Sequence, residues 1–173
     1  MDWLPTLVAA AGDPDVKDRL LEGHEAAGKT FRVHLDGHDL VPYLTGEVDQ
    51  SPRNEFFYFS DDGDLVAMRY DNWKLVFMEQ RLSGTVAVWL EPLVVLRAPK
   101  LFNLRTDPFE RADTTSNTYW DWFMDRIFLV LPAQQIVGEF LQTFLAYPPR
   151  MKAASFTIDQ VQARLEAAIA AGN

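Results

Sequence analysis

Between Asn54 and Phe77 the apolar and polar positions follow the pattern of three short strands joined by tight turns. Aromatic and β-branched residues are frequent in the three runs, as is typical of strands that pack on one face of a sheet. The turn residues are Asp62-Gly63, which suit a two-residue hairpin turn, and Asp71-Asn72. Since an isolated meander is only marginally stable, we expect the flanking segments to supply helices that cover its apolar face. The predicted strands are Phe56–Phe59, Leu65–Tyr70 and Trp73–Met78.

The segment before the meander is predicted to be mainly helical. Trp3, Leu4 and Leu7 fall on one face of the first helix, and Gly46 follows the last one. Alternating apolar and polar residues predict one strand over Phe31–Leu35. The predicted helices cover residues 2–11 with Asp2 as the cap, 14–22 with Asp13 as the cap, and 39–44 with Asp39 as the cap.

The segment after the meander is predicted to complete the sheet and then to form helices. Residues 119–131 are apolar on nearly all sides, so we expect them to be buried or to dock on a large surface. The fold class is therefore α+β, a small antiparallel sheet of about four strands packed against C-terminal helices. The predicted elements are a strand over Thr85–Leu90, a loop framed by Pro92 and Pro99, a strand over Lys100–Leu104, a long helical stretch that Asn117 opens and Pro132 kinks or restarts before its end near Ala146, and a last helix from Thr157 to Gly172.

Composition limits the classes of partner that the protein can bind. With 173 residues the chain can bury a core as one domain, or one domain with a short attached piece. Its net charge of −9 disfavours binding to nucleic acid or to an anionic membrane. It has no cysteine, which excludes disulfides and a thiol nucleophile and leaves the compartment undetermined. The most apolar stretch, Ile127–Leu131, is too short for a membrane span.

The sequence HLDGH contains three potential metal ligands, His34, Asp36 and His38. Histidine and aspartate are common zinc ligands, but the Asp36-Gly37 turn prevents a helix from aligning the two histidines. No third firm ligand is evident, so a role at the end of a strand is favoured over metal binding.

Three further features of the sequence could form sites. Asp61, Asp62 and Asp64 lack the twelve-residue oxygen pattern of a calcium loop, which favours a solvated turn. Ser51-Pro52-Arg53 has no G-x-S-x-G surroundings, and the chain has no phosphate-binding glycine motif. An aromatic cluster could line a ligand pocket, but aromatic strand residues more commonly form core. The cluster consists of Phe56, Phe57, Tyr58, Phe59, Tyr70, Trp73 and Phe77.

Four pieces of the chain together resemble known family motifs. They are MDWLPTLVAAAG at 1–12, LDGHDLVPYLTG at 35–46, the strand pair at 68–77 with Arg69, Trp73 and Lys74, and LFNLRTDPFERAD at 101–113. In this order they resemble the C-terminal part of type I sulfatases of the alkaline phosphatase superfamily, particularly bacterial arylsulfatases. The chain departs from the family pattern at two positions: Asp39 stands where serine is usual, and Asp113 where asparagine is usual.

The resemblance implies hydrolysis of sulfuric esters, with a calcium or magnesium ion and a formylglycine nucleophile in the intact enzyme. The formylglycine is made from Cys or Ser in a C/S-x-P-x-R motif, which none of the serines of this chain begins. The family's metal site and catalytic Lys and His belong to a portion that would precede Met1. No catalytic, cofactor-binding or metal-binding residue is therefore assigned here. The serines are Ser51, Ser60, Ser83, Ser116 and Ser155.

The resemblance also implies a domain organisation. Residues 1–46 would be the tail of the α/β catalytic domain, and residues 47–173 the smaller C-terminal domain, with Met78–Pro99 as a loop facing the substrate cleft. The expected partner is the catalytic domain, or a second copy that contacts the exposed apolar helices. A free-standing binding module with a sulfatase-like sheet is the alternative. A different hydrolase that uses HLDGH or Ser51 is a third hypothesis.

Overall fold

Four antiparallel strands form the central sheet in a computed structural model that describes residues 1–81 and 90–148. The sheet has the order β3-β4-β5-β6, and a separate two-stranded hairpin consists of β1 and β2. The α+β class and the antiparallel sheet predicted from the sequence are confirmed. The strands are β1 His24–Ala26, β2 Lys29–Phe31, β3 Glu55–Phe59, β4 Leu65–Tyr70, β5 Trp73–Glu79 and β6 Val94–Asn103.

Helices lie before and after the sheet in the sequence. They are α1 Trp3–Ala10, α2 Val16–Glu22, α3 Val41–Leu44, α4 Ala112–Thr115, α5 Tyr119–Met124, the 3₁₀ turn Ile127–Leu129 and α6 Val130–Ala146. The long helical stretch predicted to kink or restart at Pro132 is interrupted at residues 125–129 and restarts at Val130, two residues before that proline. Pro132 instead lies in the first turn of α6, where a missing N–H leaves no hydrogen bond unmade. Two predicted elements, the strand at 85–90 and the last helix from Thr157, lie outside the described residues except for Leu90.

The two turns of the meander differ. Tyr70 pairs with Trp73, so Asp71-Asn72 forms a two-residue turn as predicted, with Asp71 at φ 48°. The first turn has three residues because the Ser60 N–H donates to the Asp64 carbonyl at 2.9 Å. The prediction of a two-residue turn at Asp62-Gly63 is therefore wrong. The Ser60 hydroxyl oxygen accepts the N–H groups of Asp62 and Asp64, which stabilises the longer loop.

One face of the sheet forms the core. Met68, Leu75 and Leu101 lie side by side on β4, β5 and β6 and are almost completely buried. Phe123 of α5 and Ala133 of α6 complete this cluster. The helices cover the face because α5 and α6 follow the sheet and supply apolar side chains, as the sequence predicts. Members of the predicted aromatic cluster that contribute to the core are Phe57, Trp73 and Phe77.

The bounds of strand β6 differ from two predictions, the loop between Pro92 and Pro99 and the cleft-facing loop Met78–Pro99. The loop expected between Pro92 and Pro99 is largely strand, because β6 begins at Val94. It pairs only with β5 among the described strands, and the register shifts between Val76 and Met78. Pro99 has no N–H to donate, and an irregular edge strand tolerates it. Both ends of the predicted cleft-facing loop, Met78–Pro99, thus belong to strands, because β5 ends at Glu79 and β6 begins at Val94. Only the connection between these two strands remains as a candidate for that loop.

The N-terminal half contains a hairpin that the sequence did not reveal. Residues 24–31 form β1 and β2 around Ala27-Gly28, both of which have positive φ. The strand predicted over Phe31–Leu35 is wrong, since only Phe31 is part of a strand. The short helix α3 is confirmed: the Asp39 carboxylate accepts the Val41 N–H at 2.8 Å, and Gly46 follows with φ 78°.

Candidate functional site

The guanidinium group of Arg53 joins the N-terminal segment to the sheet. Its Nε donates to Asp2 Oδ2 at 2.6 Å, and an Nη donates to Asp2 Oδ1. The remaining donors bind the backbone carbonyls of Glu55 and Asp36, each at 2.9 Å. The side chains of Arg53 and Asp2 are only 17% and 19% exposed. A bidentate pair with this degree of burial is strong and directional.

Asp2 has a different role from the predicted helix cap. Its side chain makes no capping bond to α1; it accepts the backbone N–H of His38 at 2.9 Å as well as the Arg53 donors. The hydrogen bonds from Arg53 and His38 outweigh desolvation and lower the pKa of Asp2. The carboxylate is thus held ionised as the acceptor for two other segments of the chain.

Thr6 and Gly37 fix how the turn at 36–38 lies against the start of α1. The Thr6 hydroxyl donates to the Asp2 carbonyl at 2.7 Å and accepts the Leu40 N–H at 3.0 Å. Gly37 is buried, and a Cβ at that position would lie 2.6 Å from the Met1 carbonyl oxygen. Only glycine permits this approach without movement of the backbone. The junction formed by Asp2, Thr6, Gly37, His38 and Arg53 is called the junction site below.

The two histidines of HLDGH do not converge on one point. His34 Nδ1 lies 3.0 Å from Asp36 Oδ1, whereas His38 Nε2 lies 3.8 Å from Glu55 Oε1. Burial, with the nearby charges of Arg53 and Lys17, lowers the pKa of His38. No group of three or more His, Cys, Asp or Glu side chains able to hold a metal occurs within residues 1–81 and 90–148.

An open cavity of about 1010 Å³ lies beside the junction site, at one end of the sheet. Ser51 is one of its lining residues, and its hydroxyl oxygen accepts the Arg53 backbone N–H at 3.2 Å. The lining combines three arginines with two aromatic side chains of β3. The lining residues are Asp2, Leu40, Ser51, Arg53, Asn54, Glu55, Phe56, Tyr58, Arg69, Asp71, Asn72, Leu104 and Arg105.

Two lysines on the face of the sheet opposite the core are paired with acids from the following segment. Lys74 donates to both oxygens of Glu110, at 2.7 and 2.9 Å, and its ammonium lies 4.5 Å from the centroid of Tyr58. Lys100 pairs with Glu79 and with Asp113. Burial would lower the pKa of Lys100, but its two acidic partners outweigh this effect and raise it. These pairs hold the 104–113 segment against the sheet.

The segment LFNLRTDPFERAD is ordered by its own side chains. Asn103 Oδ1 accepts the Arg105 N–H and a donor of Asn72. The Asp107 carboxylate accepts the backbone N–H groups of Arg111 and Ala112, at 3.1 and 2.8 Å. Asn103 and Asp107 thus have structural roles, as expected for a framework motif.

The comparisons with known proteins agree with this architecture. A family model described as the C-terminal region of aryl-sulfatase matches residues 51–165. This chain belongs to that family. The match includes the whole four-stranded sheet and the helices α4, α5 and α6. The resemblance to sulfatases found in the sequence motifs is therefore confirmed.

A solved structure shares the fold of this sulfatase region. The PsFucS1 sulfatase from Pseudoalteromonas sp. superposes with a TM-score of 0.52 at 23% sequence identity. The alignment covers 69% of this chain and 23% of that protein, so the chain corresponds to less than a quarter of its length. No curated protein matches the sequence.

Sequence reasoning missed two features of the fold. It placed Asp2 on α1 alone, although Asp2 and Arg53 are 51 residues apart in the chain and in contact in the fold. It also gave no role to Arg105, which lines the cavity. The motifs D-x-x-P-T and D-G-x-x-L do contact each other, since Asp2 accepts the His38 N–H and Thr6 accepts the Leu40 N–H. Neither motif indicates the contact with Arg53.

Proposed function

We propose that the chain is the C-terminal fragment or subunit of an arylsulfatase. In this role it buttresses the catalytic portion and shapes one side of the substrate cleft, and it does not hydrolyse sulfate esters alone. The observation that carries the proposal is the family match over residues 51–165. Calcium or magnesium and formylglycine would be supplied by the catalytic portion.

The exposed apolar face of α1 supports a buttressing role. Trp3, Leu4 and Leu7, which the sequence places on one helical face, are 65%, 56% and 62% exposed. Three large apolar side chains on one face of a helix form a patch of the kind that proteins use for association. The partner proposed for this face is the catalytic portion, and a second copy of the chain is the alternative occupant.

A second apolar face lies on α5 and the start of α6. The apolar side chains of Trp120, Met124, Phe128 and Leu131 are largely exposed there. Residues 127–146 are long and apolar enough to cross a membrane by length and composition alone. However, Phe140 of this segment stacks on Phe57 of the sheet with ring centroids 3.9 Å apart. This packing supports an amphipathic helix that covers the sheet, so no membrane partner is proposed.

The connection between β5 and β6 is the part proposed to shape the cleft. It emerges where Glu79 pairs with Val94, and the Gln80 side chain donates to the Glu91 carbonyl at 2.8 Å across its base. The base is therefore anchored on the sheet, as is usual for loops that carry function on a rigid scaffold.

Purification from the source organism tests the proposal. An affinity tag on the chain should recover a polypeptide that contains a C/S-x-P-x-R motif, either covalently continuous with the chain or bound to it. That material should hydrolyse a chromogenic aryl sulfate and lose activity with a chelator, whereas the purified 173-residue chain should show no turnover. Chelator-sensitive hydrolysis by the purified chain would contradict the proposal, and so would recovery of the chain without any such polypeptide.

A further inference from the structure

The face of α6 that points away from the sheet is apolar. The opposite face packs on the sheet through Ala133, which is buried in the core, and Phe140, which stacks on Phe57. Leu131, Gly138 and Leu145 are spaced by seven residues, about two helical turns, so they share one face. Leu131 is 72% and Leu145 is 85% exposed. A helix with apolar residues on both faces is typically covered on both.

Charged side chains are also scarce on this face. Glu139 is the one charged residue of α6, and its carboxylate accepts the side-chain amide of Gln135 at 2.9 Å. Covering uncharged side chains costs less free energy than covering ionised ones. A Cβ added at Gly138 would meet no atom within 4 Å, so the backbone is open to close approach there. The surface formed by Leu131, Gly138, Gln142 and Leu145 is called the α6 outer face below.

The segment that follows α6 in the sequence has an apolar stripe of similar length. Residues 157–172 lie outside the described residues, and their sequence predicts an amphipathic helix. Its apolar stripe is about 16 Å long at 1.5 Å per residue, and the distance from Leu131 to Leu145 along α6 is about 21 Å. The stripe consists of Ile158, Val161, Leu165 and Ile169.

The position and length of the connection suit an antiparallel pair of helices. The structure describes the chain as far as Pro148, just after the end of α6. Residues 149–156 then span up to about 26 Å when extended, whereas packed helices are about 8–10 Å apart. Connections of about this length join neighbouring helices in bundles. The family match continues past Pro148 to residue 165, so part of the segment belongs to the same family region as α6.

We propose that residues 157–172 dock antiparallel on the α6 outer face, with Leu165 against Gly138. This docking goes beyond the proposed function and does not depend on it. The missing side chain at Gly138 leaves room for the leucine, as a ridge on one helix fits a groove on another. The short connection gives the segment a high effective concentration at this face, which favours it over a second copy of the chain.

Paired cysteines test the docking, because the chain contains no cysteine of its own. If Leu165 lies opposite Gly138, Gln142 lies opposite Val161. Gln142→Cys with Gln162→Cys should therefore form an intramolecular disulfide on oxidation with copper–phenanthroline. Gln142→Cys with Gln160→Cys is the matched control and should form its disulfide about tenfold more slowly, because Gln160 is on the opposite side of the predicted helix. Equal rates for the two pairs would overturn the inference.

Alkylation of a single thiol gives a second readout. In Gln142→Cys, reaction with N-ethylmaleimide should become about tenfold faster when Leu165→Asp and Ile169→Asp are added, because undocking exposes the thiol. Ala163→Asp with Ala167→Asp adds the same charge on the polar side of the predicted helix and should leave the rate unchanged. If neither pair of substitutions changes the rate, or both change it equally, the segment does not cover Gln142.

Two further measurements identify the occupant. Protection of the Gln142→Cys thiol that disappears on dilution of the purified chain would assign the α6 outer face to a second copy. Protection found only in the assembly recovered from the source organism would assign it to the catalytic portion. Either result would overturn the inference, whereas protection that does not depend on concentration in the purified chain supports it.

Discussion

Asp2 and Arg53 form a bidentate ion pair that connects the first helix of the chain to the first strand of the sheet. The guanidinium also binds two backbone carbonyls, so four acceptors depend on one side chain. Because the pair is mostly buried, removal of one partner leaves the other charge poorly solvated. The junction site therefore links the first helix to the sheet.

Arg53→Gln should reduce the free energy of unfolding by about 2 kcal/mol, since Asp2 would lose its charged donors. Urea denaturation followed by tryptophan fluorescence measures this change. Arg97→Gln, at an exposed position on β6, should change stability by less than about 0.5 kcal/mol and is the matched control. Equal stabilities of the two variants would contradict the structural role of the pair.

Stability should fall with acidification in two stages. The pKa values of both His38 and Asp2 are lowered by folding, so the folded state binds fewer protons and stability is fully present only above each unfolded pKa. The His38 contribution is lost as pH falls below about 6.5, and the Asp2 contribution as pH falls below about 3.8. Denaturation midpoints measured from pH 8 to pH 3 give both stages.

His38→Gln should abolish the upper stage and leave the lower one, whereas Asp2→Asn should remove the lower stage at the cost of reduced stability at neutral pH. His24→Gln, on the β1–β2 hairpin, is the control for histidine removal. An upper stage that persists in His38→Gln would assign the titration to another group.

Two glycine substitutions should have opposite effects. Gly37→Ala places a Cβ against the Met1 carbonyl and should destabilise the protein by about 1–3 kcal/mol. Gly138→Ala, in α6, meets no atom within 4 Å and should stabilise by about 0.5–1 kcal/mol through helix propensity. Thermal unfolding of both variants checks the sign. If Gly37→Ala left the stability unchanged, the close contact between Gly37 and the Met1 carbonyl would be contradicted.

Tyr119→Phe should cost about 1–3 kcal/mol because Tyr119 satisfies both backbone groups of Leu101. Its hydroxyl donates to the Leu101 carbonyl at 3.1 Å and accepts the Leu101 N–H at 3.0 Å, in the buried interior. Tyr70→Phe removes a hydroxyl from a side chain that is 42% exposed and should be nearly neutral. Urea denaturation midpoints of the two variants measure this difference in stability. Similar losses of stability in both would argue against the two hydrogen bonds to Leu101.

The isolated chain should self-associate through α1 at high concentration. Leu4→Ser with Leu7→Ser should shift sedimentation-velocity profiles toward monomer, because the exposed apolar area decreases. The double variant Leu141→Ser with Leu145→Ser removes exposed leucines from α6 and controls for general hydrophobicity. If this control variant shifts the sedimentation profiles toward monomer to the same extent, the association does not depend on α1.

The sheet could be predicted because its signals are local. Alternation, turn residues and aromatic runs mark the meander, in which paired residues are only 3 positions apart at Tyr70 and Trp73 and 15 apart at Glu55 and Tyr70. Strand β6 was only partly predicted, because its irregular register and Pro99 obscure the strand pattern. The hairpin around Ala27-Gly28 was missed because alanine rarely adopts positive φ and gives no turn signal.

The candidate site was less predictable, because its contacts cross long stretches of sequence. Asp2 preceding a helix has the pattern of an ordinary cap, and only the fold shows that its acceptor capacity is used by Arg53 and His38. The position of Arg105 in the cavity lining was not predicted for the same reason, since no local sequence pattern marks a single surface arginine. The family motifs compensated in part, because they mark positions whose side chains order the backbone.

The local pairing of the meander has a consequence for how the protein folds. Each hairpin closes a short loop and can form within microseconds, whereas the bonds from Asp2 to His38 and Arg53 must close loops of 36 and 51 residues. In refolding of the whole chain the meander of β3, β4 and β5 should therefore form before the junction site. Docking of α1 on the turn at 36–38 and on Arg53 is then a late step of refolding.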